Sequence, residues 1–129
     1  MVALLSGHCF VFQLTALRSF YDGVKGGLGA VMCAMTKVNE TLSCENEELL
    51  QTLLKTELGC PGLVYPDVGG QTTAFGSAIG GLDYGSSRYW SNATLQEGLN
   101  NGTFTQARLD DMVVRNVIGY YFVGQNNGS

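Results

Sequence analysis

The stretch Gly62-Leu63-Val64-Tyr65-Pro66-Asp67-Val68-Gly69-Gly70 predicts the fold most directly. The apolar run from Leu63 to Tyr65 indicates a short buried strand. That strand leads straight into Asp67, and the two glycines that follow leave space for a ligand beside the backbone. Functional groups in α/β proteins lie just past the carboxyl ends of parallel strands. Asp67 is therefore the first candidate for chemistry.

Similar units lie before this stretch. Residues Leu28 to Met35 form a nearly continuous apolar run, which predicts another strand, buried on both faces. A polar loop from Thr36 to Ser43 follows. A helix is then predicted that starts near Glu45, where the helix dipole favours acids, and ends at Gly59 and Pro61. Its apolar positions recur at helical spacing: Leu49, Leu50, Leu53, Leu54 and Leu58.

The second half of the chain adds mainly helices. The segment Thr72 to Gly81 predicts a small-residue helix, and Leu82 to Tyr84 predicts a third strand or a turn. A helix over Thr94 to Leu99 precedes a capping box at Thr103 to Gln106. This box opens a long amphipathic helix whose apolar side contains Leu109, Met112, Val113, Val117, Tyr120 and Tyr121. The order of elements predicts an α/β fold with parallel strands and crossover helices.

Length and charge indicate how this fold is completed. The chain has 129 residues, whereas a (β/α)8 barrel needs about 250. It is therefore either a small α/β unit alone or part of a barrel. Only 14% of its residues are charged, against about 25% in typical domains. Strands and helices this apolar favour part of a barrel, with some of the surface covered by other protein.

Composition excludes several classes of protein. A net charge of −4 provides no basic stripe for nucleic acid. No apolar run approaches the roughly 18 to 20 residues that cross a membrane. The cysteines at positions 9, 33, 44 and 60 match no metal-binding spacing, and His8 is the only histidine. No metal or other cofactor is predicted.

Four N-x-[ST] triplets indicate a secreted parent protein. Their asparagines are glycosylation candidates: Asn39, Asn92, Asn101 and Asn127. An oxidising compartment permits disulfides, and a bond between Cys33 and Cys44 is favoured because it would tie a strand end to the start of the next helix. The apolar segment Met1 to Leu14 lacks a basic n-region and is interrupted by His8 and Gln13, so a signal peptide is disfavoured there.

Position alone leaves three roles open for Asp67. It can be a glycosidase nucleophile, a metal-binding or phosphoryl-accepting aspartate, or the cap of the next helix, and the cap is the commonest of these. Asp83 is weighed as a second carboxylate against a loop or capping role. Asp110 and Asp111 are assigned to the first turn of a helix, where the dipole favours acids. Tyr89 and Trp90 could stack on a sugar, although loop packing is favoured.

The chain resembles the C-terminal part of the first domain of fungal family 3 glycoside hydrolases, the β-glucosidases, over about residues 19–128. Segments that match in order and spacing are Gly27 to Cys33, Val38-Asn39, Cys44 to Asn46, Leu53 to Gly59, Gly62 to Val64 with Asp67, Gly81 to Asp83, and Ala107 to Arg115. The resemblance implies part of a (β/α)8-type barrel over residues 18–129, with residues 1–17 unmatched. It also implies that Asp67 is the nucleophile of retaining hydrolysis of β-glucosides, through a covalent glycosyl-enzyme.

The chain departs from the family's pattern near this aspartate. The family's Ser-Asp-Trp motif is Pro66-Asp67-Val68 here, and Met35-Thr36 stands where Tyr-Asn is usual. In the family, earlier strands bind the glucose hydroxyls and a second domain supplies the general acid. No residue here takes that role, so we expect a fragment that is inactive alone and associates with the remaining part of the enzyme. The alternative is a non-enzymatic carbohydrate-binding or structural module that forms a homo-oligomer.

Overall fold

A computed structural model describes residues 17–122 and 124–128. Helix α1 covers residues 17–25 and leads into strand β1, Ala30–Cys33. Strand β4, Leu63–Pro66, pairs with β1 in parallel, with Ala30 opposite Leu63 and Cys33 opposite Pro66. Both strands that were predicted from the apolar runs are therefore present, and they form a parallel pair in an α/β structure. The predictions for residues 1–16, including the signal peptide, His8 and Cys9, lie outside the described residues.

The connection from β1 to β4 contains a hairpin and a helix. Strands β2, Lys37–Val38, and β3, Thr41–Leu42, pair in antiparallel fashion within the segment predicted to be a loop. Asn39 and Glu40 join them with φ angles of 49° and 65°, as in the tight turns that match strand twist. A short 3₁₀ turn, Ser43–Glu45, then precedes a π-helix, Glu48–Glu57.

The π-helix is the crossover element that the leucine spacing predicts. Leu50 and Leu54 are buried on its inner side. Its turns are wider than those of an α-helix, since the N–H of Leu58 donates to the carbonyl of Leu53 at 2.9 Å. Gly59 follows with a φ of 69°, a left-handed conformation that glycine adopts without steric cost. The predicted helix end at Gly59 is confirmed.

The prediction that both faces of the strands are buried is wrong. Val31, Cys33 and Val64 point into a core shared with Leu50, Leu54 and Leu82. On the opposite face, Met32 is 52% exposed and Tyr65 is 36% exposed. Successive strand residues point to opposite faces, and the described helices cover only one of them. This is why the alternate side chains remain accessible.

Between β4 and the last helices, the chain forms helix α2 and an irregular segment. Helix α2, Phe75–Gly80, confirms the predicted small-residue helix and ends at Gly81, whose φ is 117°. The segment from Leu82 to Tyr84 is irregular and does not form the third strand that was one of the two predictions for it. The backbone N–H groups of Asp83 and Tyr84 both donate to the carbonyl of Val64, at 2.8 Å and 3.1 Å. Two bonds to one carbonyl do not make a strand ladder.

Helices α3, Asn92–Asn101, and α4, Gln106–Phe122, complete the fold. The predicted capping box at Thr103 is wrong by two residues. The Thr105 hydroxyl accepts from the backbone N–H of Arg108 at 3.2 Å, so Thr105 is the N-cap. Thr103 instead lies in a turn where its N–H donates to the Asn101 side chain at 2.9 Å.

The predicted apolar side of α4 is buried in only one part. Met112 is 4% exposed and packs with Ala78 and Phe104 in a second core cluster. The four residues farther along the predicted side are about half exposed: Val113, Val117, Tyr120 and Tyr121. Beyond α4 a short 3₁₀ turn, Gln125–Asn127, contacts Tyr120, whose hydroxyl donates to the carbonyl of Gln125 at 3.2 Å. Within the described ranges, no helix combines the length and hydropathy needed to cross a membrane.

Candidate functional site

Asp67 lies at the carboxyl end of the parallel pair, immediately after β4. Its backbone N–H donates to the carbonyl of Cys33, the last residue of β1, at 3.0 Å. The aspartate is therefore held against both strands at the edge where α/β proteins place functional groups. Strand position had suggested this location.

Residues 67–70 form a tight turn, called here the Asp67 turn. The N–H of Gly70 donates to the carbonyl of Asp67 at 2.8 Å. Gly69 has a φ of 83°, which other residues adopt only with strain. No helix begins here, because α2 starts eight residues later at Phe75. Helix capping, the commonest role for such an aspartate, therefore does not account for Asp67.

The Asp67 carboxylate has one hydrogen bond from the described residues. Its Oδ1 accepts from the N–H of Val68 at 2.7 Å. No donor in residues 17–122 or 124–128 bonds its Oδ2, and no basic side chain there forms an ion pair with it. The side chain is partly exposed, and Val68 beside it is 91% exposed. The Oδ2 of Asp67 therefore has no hydrogen-bond donor among the described residues.

Asp83 has the opposite environment. Its side chain is fully buried, and Oδ1 accepts from Lys55 Nζ at 2.7 Å and Arg108 Nη2 at 2.8 Å. Its Oδ2 accepts from the backbone N–H of Val64 at 2.8 Å. Asp83 neither caps a helix nor offers a free oxygen. We call Lys55, Asp83 and Arg108 the Asp83 junction, because they join the π-helix, β4 and α4.

The two cations of the Asp83 junction have further carbonyl partners. Lys55 Nζ donates to the carbonyl of Gly81 at 2.7 Å. Burial lowers the pKa of Lys55 to about 8, and the charge of Asp83 opposes that shift only in part. Arg108 also donates to the carbonyls of Ala78 and Leu82, each at 2.8 Å. Buried charges with this many partners are typical of a structural core.

The remaining carboxylates near these elements are also engaged. Asp110 and Asp111 lie in the second turn of α4 rather than the first, because the helix begins at Gln106. Asp111 bridges Arg108 and Arg115 at 2.7 Å and 2.8 Å, so ion pairing accounts for it better than the helix dipole. Asp110 accepts from the Gln106 side chain at 2.7 Å.

Glu45 makes contacts that the sequence did not reveal. We expected its charge to favour the start of the next helix. Its Oε1 instead accepts from the hydroxyls of Thr72 and Thr73 at 2.7 Å and 2.9 Å, and from that of Ser77 at 3.3 Å. These partners lie 27 to 32 residues away, so no local pattern could indicate them. The contacts fix the segment after the Asp67 turn.

Trp90 is a packing residue. Its indole N–H donates to the carbonyl of Ala74 at 2.7 Å, and its ring contacts both core clusters. Tyr89 lies beside Arg88, with the guanidinium 5.7 Å from the ring centre. The structure joins Cys33 to Cys44 in a disulfide, and Cys60 is buried and has no disulfide partner among the described residues. No cluster of metal-binding side chains occurs in the described part of the chain.

The fold and the Asp67 turn define an α/β protein with an aspartate at the carboxyl edge of a parallel sheet. No family model matches the chain. It is 62% identical over 114 residues to "Probable beta-glucosidase D" of Aspergillus niger, covering 88% of this chain and 15% of that protein.

Two solved structures of fungal enzymes also match most of this chain. A β-D-glucoside glucohydrolase of Trichoderma reesei matches 88% of this chain and 17% of its own, with 36% identity and a TM-score of 0.81. A glycoside hydrolase family 3 β-glucosidase of Neurospora crassa matches 84% of this chain and 14% of its own, with 36% identity and a TM-score of 0.78. The chain is therefore homologous to a segment of fungal β-glucosidases, which confirms the resemblance inferred from its sequence. It spans about 15% of the curated relative's length.

Proposed function

We propose that this chain is the nucleophile-bearing segment of a retaining β-glucosidase. In this proposal, residues 18–129 form part of a (β/α)8-type barrel domain, and residues 1–17 lie outside it. The relatives' names support the class of enzyme. The main support for Asp67 as the nucleophile is its position at the carboxyl end of β4, where no described residue bonds its Oδ2.

In the proposed reaction, this chain provides the nucleophile. Asp67 attacks the anomeric carbon of a terminal β-glucosyl residue, and the bond from that carbon to the leaving oxygen breaks. A second carboxyl group protonates the leaving oxygen, then removes a proton from the water that hydrolyses the glycosyl-enzyme. In retaining enzymes the two carboxyl groups lie about 5 to 5.5 Å apart.

The second carboxyl group comes from outside this chain in our proposal. Asp83 is buried in two ion pairs, Asp111 bridges two arginines, and Glu45 accepts three hydroxyl hydrogen bonds. None of these three carboxylates is available to protonate a substrate. The chain alone is therefore inactive, and association with the remaining part of a β-glucosidase supplies the acid and the sugar-binding residues.

Secretion and glycosylation belong to the same proposal. The four candidate asparagines are all exposed: Asn39, Asn92, Asn101 and Asn127. Asn39 lies at the tip of the β2–β3 hairpin, where its side chain is accessible for glycan attachment. The Cys33–Cys44 disulfide also suits an extracellular protein. Digestion with an endoglycosidase after expression in a fungal host tests this part, by a shift in mass that Asn-to-Gln variants remove.

A segment exchange tests the catalytic proposal. This chain replaces the aligned 114-residue segment of the Aspergillus niger relative, and release of nitrophenol from an aryl β-glucoside is measured. We expect turnover by the chimera and none by the isolated chain. Asp67→Asn in the chimera should reduce turnover by at least about 10³-fold, as loss of a nucleophile does. Undiminished turnover by that variant would refute the role of Asp67.

A non-enzymatic interaction module is the second candidate. The exposed apolar side chains on α4 and on the open face of the sheet favour it: Met32, Tyr65, Val113, Val114, Val117 and Tyr121. Such surfaces bind other protein. In this case the chain forms a homo-oligomer that binds carbohydrate or has a structural role. Light scattering tests this candidate by measuring the mass of the purified chain in solution. A monomer at micromolar concentration would contradict the proposed homo-oligomer.

A further inference from the structure

The Cys33–Cys44 disulfide lies against both ends of the Asp67 turn. The carbonyl of Cys33 accepts the N–H of Asp67 at 3.0 Å. At the other end, a Cβ added to Gly70 would lie 3.0 Å from the Sγ of Cys44. Both cysteines are almost completely buried. The backbone of the turn therefore packs directly on the disulfide-bonded residues.

Strand β4 has a separate anchor nearer its start. The N–H of Val64 donates to Asp83 Oδ2, and the carbonyl of Val64 accepts from the N–H of Asp83, both at 2.8 Å. These contacts belong to the Asp83 junction and do not involve either disulfide cysteine. The two ends of the strand are thus held by different means.

We propose that the Cys33–Cys44 disulfide is a positioning element for the carboxylate of Asp67. Its importance for catalysis rests on the proposed function of Asp67. The disulfide ties the end of β1 to the Ser43–Glu45 turn, which fixes the carbonyl that accepts the Asp67 N–H. It also provides the surface on which Gly70 packs. A nucleophile must be held within a fraction of an ångström of its reactive position.

The simpler role of a disulfide is global. A cross-link stabilises a protein mainly by restricting the unfolded chain. That effect changes the exchange of every amide that opens through global unfolding by one common factor. A positioning role acts locally instead, so it changes the Asp67 turn more than the start of β4.

Amide hydrogen exchange followed by NMR separates these two roles. We compare the oxidised full chain with the double variant Cys33→Ala/Cys44→Ala, and use Cys60→Ala, at a buried cysteine outside this disulfide, as the control. In the double variant, exchange at Asp67 and Gly70 should accelerate about tenfold more than exchange at Val64, as loss of one ordered hydrogen bond implies. Equal acceleration at all three amides, or none at Asp67, would overturn the proposal.

Gly70→Ala provides a second test that leaves the disulfide intact. The added methyl group would crowd Cys44 Sγ at 3.0 Å and the Asp67 carbonyl at 3.1 Å. We expect faster exchange at Asp67 with Val64 unchanged, and no change at Asp67 in the control Gly119→Ala, where a Cβ meets no atom closer than 4.0 Å. If the double cysteine variant does not fold, the exchange rates in Gly70→Ala test the proposal alone. Unaltered exchange at Asp67 in Gly70→Ala then overturns it. Exchange needs no substrate, so its failure is distinct from failure of the catalytic role.

Discussion

The Asp83 junction and the Asp67 turn hold two aspartates in contrasting environments next to the same strand, β4. Asp83 is fully buried, and both of its oxygens accept hydrogen bonds from three elements of the fold. Asp67 is partly exposed, and among the described residues only its neighbour Val68 bonds its carboxylate. A carboxylate with every oxygen engaged serves packing, whereas one with a free oxygen can react.

Because of this difference, substitutions at the Asp83 junction and at Asp67 should have different effects on the free energy of unfolding. Removing a partner from a buried ion pair leaves an uncompensated charge in the core, which is strongly destabilising. Changing a partly exposed side chain with one local hydrogen bond has little effect on folding. Substitutions in the two regions should therefore affect different measurements.

The largest effect is expected from Asp83→Asn. It keeps the shape of the side chain but leaves the buried Lys55 and Arg108 without their shared carboxylate. We expect the free energy of unfolding to fall by about 3 to 5 kcal/mol, measured by urea denaturation. Asp110→Asn on exposed α4 surface is the matched control and should change it by less than about 0.5 kcal/mol. Equal losses in the free energy of unfolding for Asp83→Asn and Asp110→Asn would mean that the buried ion pairs of Asp83 add no special stability.

A smaller, pH-dependent effect is expected from Lys55. Its pKa is about 8 in the folded chain and 10.5 ordinarily. Between these values the unfolded chain binds the proton that the folded chain has lost, so stability due to this group rises with pH. Relative to Lys55→Met, the parent should gain about 1 kcal/mol per pH unit over this window.

The control for this pH series is Lys37→Met, which removes an exposed lysine of β2. From pH 8 to 10.5 the free-energy difference from the parent should rise more steeply for Lys55→Met than for Lys37→Met. Equal slopes for the two variants would mean that the buried ammonium of Lys55 keeps its proton throughout.

The smallest effect on folding is expected from Asp67→Asn. Because the N–H of Val68 is the one described group that bonds its carboxylate, the free energy of unfolding should change by less than about 0.5 kcal/mol. Urea denaturation measures this against Asp83→Asn under identical conditions. A loss comparable to that of Asp83→Asn would mean that Asp67 also has a mainly structural role.

Local sequence patterns predicted what depends on neighbouring residues. The apolar runs located β1 and β4, and Gly59 marked the end of the π-helix. The strand end then indicated the position of Asp67. None of these features requires knowledge of distant partners.

Features that depend on distant residues were missed or wrong. Lys55 and Arg108 lie 28 and 25 residues from Asp83, and no periodicity relates them. The capping box failed because Thr103 and Thr105 both precede the helix, and only the three-dimensional turn selects Thr105. The exposed side of α4 was misjudged because an apolar pattern indicates a face that can be buried, and not what covers it.

Covalent trapping in the chimera tests the assignment of Asp67 most directly. A 2-fluoro glucoside slows breakdown of the glycosyl-enzyme, so peptide mapping by mass spectrometry identifies the labelled residue. We predict one adduct, on the peptide that contains Asp67, and its absence in the Asp67→Asn chimera. An adduct on another carboxylate, or one that persists in Asp67→Asn, would contradict the account.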